Sequence, residues 1–396
     1  MQRRKRVNFL VKSLALIYDK KRNSIRRCRK IMIQLFEQLT LKNIALQNRI
    51  CVPPMVCFNW SDESGIVSEK HVNHYKAIAQ GGPGLIIQEA TCIDPEGRLA
   101  ASQLGIWCDE QIPGLKRIVD AVHAEGVPIL VQIHHAGIMG ITNPAPCPSG
   151  YEFARRDFTQ KGAEMTLEEI DALRRNFAQA ARRAQKAGYD GVELHGCHSY
   201  LLCQFLNSRV NKRTDKYADG MVLAEEILND VRQATGPDFI VGIRLGVFEP
   251  GLAEGIDHAK RLAERGIDFL DLSYGFGLED EPEKPEDFPL ADVIYGAGCI
   301  KAALKEAATS GEIPAAGEVP VFAVYGIQSA EQAQQALDLT DVDMIDVGRG
   351  VLVNYDWAKD AKEGRDTGKC LYCPTCMWRV DAEKCAGRKL LRSQRS

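Results

Sequence analysis

Short apolar runs recur along the chain at residues 50–52, 85–89, 128–133, 191–194, 239–244, 269–272, 320–324 and 344–347. They show little polar alternation, as parallel strands buried on both faces should. Between them, apolar residues fall at helical spacing over 68–79, 110–124, 167–187, 221–234, 254–264 and 329–337. Thr166 and Glu169 form a capping box ahead of the third of these. Gly126, Gly188 and Gly266 each stand just before a strand, where helices commonly end on a left-handed residue.

Eight such alternations predict an α/β fold, a (β/α)8 TIM barrel, with its site at the carboxyl ends of the strands. A doubly wound open sheet is the rival, but it wants a glycine-rich turn after the first strand. Pro53-Pro54-Met55 stands there instead. The predicted organisation is a basic extension over 1–31, the barrel over 32–365 and a short cysteine-rich segment over 366–396.

The chain has 396 residues, 45% of them apolar, with a net charge of −3. That size allows one large domain or two modest ones. The charge gives no reason to expect nucleic acid, and no apolar run of about 18 residues suggests a membrane span. Thirteen cysteines, mostly scattered singly, suit a reducing cytoplasmic setting better than a disulfide framework. The first 31 residues are dense in lysine and arginine against one acid, Asp19. They read as a targeting or nucleic-acid arm, as an inert extension, or as sequence upstream of a true start at Met32. The third is favoured, because a compact segment opens at Ile33-Gln34-Leu35-Phe36.

Under the barrel reading, polar residues collect in one mouth. Gln132 and His134-His135 follow the third strand, His195 and His198 the fourth, and Arg244 closes the fifth. Two imidazoles three positions apart can hold a substrate oxygen with N–H donors, while the Tyr200 phenol supplies a proton. A hydrogen-bonded pair with no chemical duty is the plainer alternative. Gly326 follows the seventh strand and Gly348-Arg349-Gly350 the eighth. Loops there often bind phosphate through backbone N–H groups.

Together these strand ends resemble the Old Yellow Enzyme family of flavin oxidoreductases. The likeness runs from Leu35 to Lys362 and includes Asn48-Arg49-Ile50, His74-Tyr75, Leu104-Gly105-Ile106-Trp107 and Asn207-Ser208-Arg209. It implies bound FMN, with NADH or NADPH as hydride donor, and reduction of a C=C bond beside a carbonyl in a small unsaturated substrate. Pro54, Met55 and Ala90 would line the flavin ring, Gln132 its pyrimidine edge, and Arg244 the end that carries charge when reduced. Gly326, Gly348 and Arg349 would hold the phosphate. His195 and His198 would bind the substrate carbonyl and Tyr200 would donate the proton. Relatives are often homo-oligomers. Three positions depart from the family pattern. Val56 replaces a cysteine found in one branch, and Cys57 should point elsewhere. Phe58 stands where some members carry tyrosine, and Tyr325 replaces the first of two glycines in the phosphate loop.

Cys370, Cys373, Cys376 and Cys385 form a second motif. The spacing suits a 4Fe–4S cluster, with a four-thiolate zinc site as the alternative. A cluster motif just after the barrel marks the dienoyl-CoA reductase and trimethylamine dehydrogenase branch. That likeness admits a second activity, on enoyl thioesters, steroids or amines, with a separate electron-transfer partner. A non-catalytic flavin-binding or metal-binding barrel is the reading outside enzymes.

Overall fold

A computed structural model describes residues 34–155, 158–277 and 284–395. The basic extension and the centre of the loop after the sixth strand lie outside the described residues. Eight strands form the barrel: β1 (Ile50–Val52), β2 (Leu85–Cys92), β3 (Ile129–His134), β4 (Gly191–Gly196), β5 (Ile240–Gly246), β6 (Phe269–Ser273), β7 (Val321–Ala323) and β8 (Met344–Asp346). Each pairs parallel to the next, and β8 pairs with β1 to close the ring. Eight helices cover the outside: α1 (Glu69–Gln80), α2 (Ile112–His123), α3 (Leu167–Ala187), α4 (Gly220–Thr235), α5 (Leu252–Glu264), α6 (Asp292–Thr309), α7 (Ala330–Thr340) and α8 (Trp357–Lys362).

All eight predicted strands are present, with ends moved by a few residues. The largest change is β2, which continues to Cys92 past a register shift between Gln88 and Thr91. Helix α6 was not foreseen. It buries Val293, Ile294, Tyr295, Ala297, Ile300, Ala303, Leu304 and Ala307, so apolar residues lie on most of its sides. A helix of that kind lacks the contrast on which periodicity depends. Three short strands between β3 and α3 were also unforeseen: Ala145–Cys147, Glu152–Arg155 and Phe158–Glu164 form a separate sheet beside the mouth.

Two apolar regions hold the fold. The larger lies between strands and helices; from α3 it takes Ile170, Leu173, Phe177, Ala180, Ala181 and Ala184, at helical spacing. The smaller fills the amino-terminal end of the barrel with Leu85, Ile87, Leu130, Ile240, Phe269, Phe322 and Met344. The rings of Phe269 and Phe322 stack there at 4.8 Å. A hairpin, Leu39–Leu41 with Ile44–Leu46, plugs this end through Leu41 and Leu46. With the bottom closed by apolar packing, only the other end is open to chemistry.

The capping box of α3 is made as predicted. Glu169 N–H donates to Thr166 Oγ1 at 3.2 Å, and Thr166 N–H donates to Glu169 Oε2 at 2.7 Å. Gly188 ends the helix with φ of 94°, a conformation that disfavours any side chain. Thr166→Ala removes one of these bonds and should lower stability by about 1 kcal/mol, read as a lower midpoint in chemical denaturation.

Candidate active site

His195 is the penultimate residue of β4, and the chain then turns sharply. His198 and Ser199 both take left-handed backbone, with φ of 59° and 65°. Non-glycine residues adopt this conformation at a cost, and such cost concentrates at functional sites. The turn folds His198 back over His195, so that His195 Nε2 and His198 Nδ1 stand 3.2 Å apart. His134, at the end of β3, meets His195 from the other side, with 3.2 Å between their Nδ1 atoms. His198 Nε2 lies 2.8 Å from Ser273 Oγ at the end of β6. The Tyr200 ring packs edge-on against His195 at 4.7 Å and His134 at 4.6 Å between centroids.

Burial keeps His134 and His195 neutral, pushing the pKa of His195 well below the usual value and that of His134 down to about 3, with neighbouring imidazoles adding to the effect. His198 is more open to solvent; enclosure by the surrounding protein and the Arg244 charge push it down too. Each ring is therefore a neutral group with one N–H and one lone pair.

Below the histidines lies a buried charge cluster. Strand register sets Arg244 level with His195 on one side and Asp271 on the other. Its guanidinium is 3.4 Å from Asp271 and 3.8 Å from Asp346. Glu193 adds a third acid and accepts from Gln132 Nε2 at 2.7 Å. Burial, then repulsion from Asp271, pushes Glu193 and Asp346 towards their neutral forms. Arg244 stays charged. Its Nε and both oxygens of Asp271 and Asp346 find no hydrogen-bond partner in the protein.

Two cavities open above this cluster. One of about 680 Å³ is lined by Pro54, Met55, Ala90, Gln132, Arg244, His195, His198 and Tyr200, which are the residues expected around a flavin ring and its substrate. The other, of about 260 Å³, is lined by Gly326, Gly348 and Arg349. Pro54, Met55, His198, Arg244 and Arg349 line both, so the two cavities are adjacent.

The match of FMN to this space rests on three observations. The floor is apolar at Pro54, Met55 and Ala90. Arg244 brings a charged, incompletely bonded guanidinium to one end. At the other end Gly326, Gly348 and Arg349 line the smaller cavity, and a Cβ on Gly348 would come within 3.2 Å of Met55 Sδ. Tyr325 has φ of 108° and Gly326 φ of 76°, so the tyrosine keeps the backbone of the glycine it replaces. Its ring packs edge-on against Tyr274, at 4.9 Å between centroids, and Tyr325 itself lines the smaller cavity. Cys57 points away, as expected. It is buried, its N–H donates to Glu89 Oε2 at 2.7 Å, and it lines neither cavity.

The profile of the NADH:flavin oxidoreductase / NADH oxidase family matches residues 34–368. The chain belongs to that family. It is an FMN-dependent oxidoreductase that draws on NAD(P)H. The NADPH dehydrogenase of Listeria monocytogenes (serotype 4a) is 34% identical over 341 residues, covering 84% of this chain and 95% of that protein. The NADH oxidase of Thermoanaerobacter brockii is 34% identical over 362 residues, 86% of this chain but only 52% of the relative. This chain therefore spans about half the length of that enzyme. Among solved structures, an Old Yellow Enzyme homologue from Zymomonas mobilis superposes with a TM-score of 0.69 at 25% identity, over 88% of this chain and 99% of that one. A 2-naphthoyl-CoA reductase bound to 2-naphthoyl-CoA shares the fold, with a TM-score of 0.77 at 22% identity. It covers 89% of this chain and 56% of its own.

The matched region ends where the cysteine segment begins, and that segment roofs the site. Cys370, Cys373, Cys376 and Cys385 all line the larger cavity, with Leu371, Tyr372 and Trp378 among them. Trp378 is buried against His74 and Trp60, at 5.4 and 5.8 Å between centroids. Arg388 clamps the segment from behind, its Nε donating to the Leu352 carbonyl at 2.8 Å. Arg349 lies 4.2 Å from the Tyr372 ring. Among the described residues, the only three metal-ligating groups within 4.8 Å of one another are His195, Cys197 and His198. The four thiols are thus not gathered at the roughly 3.8 Å spacing that Zn–S bonds of about 2.3 Å would impose.

Sequence reasoning missed Glu193, Asp271, Asp346 and Ser273. The first three had a signal: each is a lone acid inside an apolar strand, as in Leu270-Asp271-Leu272. Ser273 had none. Because the histidines stay neutral, affinity for an uncharged enone should be constant between pH 8 and pH 5. A titration of the flavin absorbance checks this; a step near pH 6.5 would show an imidazole gaining a proton.

Proposed function

We propose that the chain reduces the C=C bond of α,β-unsaturated carbonyl compounds. The observation that carries this reading is the His195–His198 pair, which stands 3.2 Å apart at the mouth with Tyr200 beside it. FMN held in this cavity would supply the hydride chemistry that links NAD(P)H to the substrate's C=C bond. His195 and His198 hold the carbonyl oxygen and stabilise the negative charge that grows on it. Tyr200 O–H gives a proton to the α-carbon. Gln132 and Arg244 would hold the polar edge of the ring. The turn at Gly326 and the Gly348-Arg349 pair would hold the phosphate. Pro54, Met55 and Ala90 would exclude water from its apolar face.

Tyr200→Phe should slow oxidation of the reduced enzyme by 2-cyclohexenone roughly 100-fold, the usual scale for one general acid, and leave reduction by NADPH unchanged. Stopped-flow measurement of the two half-reactions separates these effects. His195→Ala and His198→Ala should each weaken binding of a phenol; unchanged affinity would remove the histidines from this role.

We infer, further, that the four cysteines hold a 4Fe–4S cluster rather than zinc. All four line one cavity, and the Cys-x2-Cys-x2-Cys spacing with a remote fourth cysteine suits such a cluster. Cys373 and Cys376 are solvent-exposed, so a cluster there could pass electrons to a separate protein. In that case enoyl thioesters, steroids or amines join the substrate candidates. Anaerobic purification with metal and sulfide analysis should give about four irons per chain. Zinc, or no metal, with FMN present would leave a self-contained ene-reductase. None of the twelve cysteines among the described residues is joined in a disulfide. Among the same residues, no helix is long and apolar enough to cross a membrane.

A further inference from the structure

His134, His195, His198 and Ser273 form a single file of hydrogen bonds. The contacts are 3.2 Å between the Nδ1 atoms of His134 and His195, 3.2 Å from His195 Nε2 to His198 Nδ1, and 2.8 Å from His198 Nε2 to Ser273 Oγ. Each contact between two ring nitrogens can carry one proton, and each neutral ring has only one N–H to give. A direction chosen at one contact therefore fixes the direction at all the others.

Two directions exist. In the first, His134 Nδ1–H donates to His195, His195 Nε2–H to His198, and His198 Nε2–H to Ser273. The group left over is a lone pair on His134 Nε2, which is buried without a partner. In the second, every bond is reversed, and the leftover group is a buried His134 N–H. A buried donor without a partner is the rarer and costlier of the two. The resting file therefore runs from His134 towards Ser273.

A carbonyl oxygen seated between His195 and His198 needs an N–H from each. The resting file offers one at His195 Nε2 but a lone pair at His198 Nδ1. To donate, His198 must carry its hydrogen on Nδ1, and its Nε2 then becomes an acceptor in need of a donor. The group facing that atom is Ser273, whose hydroxyl can turn from accepting to donating without moving its oxygen.

We propose that Ser273 is a positioning residue that lets His198 exchange its Nε2–H tautomer for the Nδ1–H tautomer when a carbonyl ligand binds. The Nε2 proton passes to water and Nδ1 takes a proton from water at the open mouth, so the ring keeps one proton and no net charge appears. The inference rests on the reading of His195 and His198 as the carbonyl holders.

The test uses the FMN-loaded full chain, labelled with 15N-histidine, and 4-chlorophenol, whose phenolate oxygen accepts hydrogen bonds as an enolate oxygen does. The nitrogen shifts of His198 should report Nε2–H in the free enzyme and Nδ1–H in the complex. Ser273→Ala should weaken the phenol about tenfold, the value of one hydrogen bond. Ser273→Thr, which keeps the hydroxyl, should restore the affinity. A His198 that keeps Nε2–H in the complex overturns the proposal, as does full affinity in Ser273→Ala. If His195→Ala and His198→Ala also bind phenol fully, the carbonyl-holding role itself has failed. If they bind weakly while Ser273→Ala does not, only the switch has failed.

Discussion

In a closed ring of parallel strands every backbone amide in the wall is committed to a neighbour, and every strand points the same way. β1, β7 and β8 are only three residues long, too short to hold together without their neighbours. Closure supplies the missing support, and the hairpin plug with the Phe269–Phe322 stack fills the lower half with apolar atoms. Polar residues that the strands carry can then emerge only at the upper rim. The meeting of His134, His195, Arg244 and Ser273, from four different strands, is a consequence of that geometry.

The electrostatics of the rim follow from the same burial. A guanidinium sunk among strands is tolerable only beside acids, and Asp271 and Asp346 stand close to it. Three acids facing one arginine would overcompensate, and burial pushes Glu193 and Asp346 towards protonation. His134 and His195 above are held neutral by burial too, and the Arg244 charge disfavours a proton on His198. The site therefore offers a fixed positive group beneath an array of uncharged donors, an arrangement suited to a charge that exists only during the reaction.

Much of this could be read in the sequence. The strands are apolar and most end in glycine or a polar residue, so their number and order were visible, and so were His134, His195 and Arg244 near their tips. What stayed hidden depends on long-range contact. Helix α6 is buried on so many sides that it shows no polar stripe. The small sheet around Glu152–Arg155 is largely polar and gains its order by packing beside the mouth. Ser273 is an ordinary serine in one dimension; only the ring closure brings it to His198, seventy-five positions away. Tyr325 was visible as an anomaly, and the backbone explains it: the loop imposes the conformation, and the residue accepts it.

The roof over the cavity differs from the floor in kind. Floor residues sit on strands whose displacement would open the barrel. Those of the roof, from Cys370 to Trp378, belong to a stretch almost without regular secondary structure, anchored by a buried tryptophan, an arginine clamp and the Arg349 contact with Tyr372. Such an architecture divides inheritance between two parts of the chain. The barrel can preserve a chemistry unchanged over long descent, while a few replacements in the covering segment redraw the shape of what may enter.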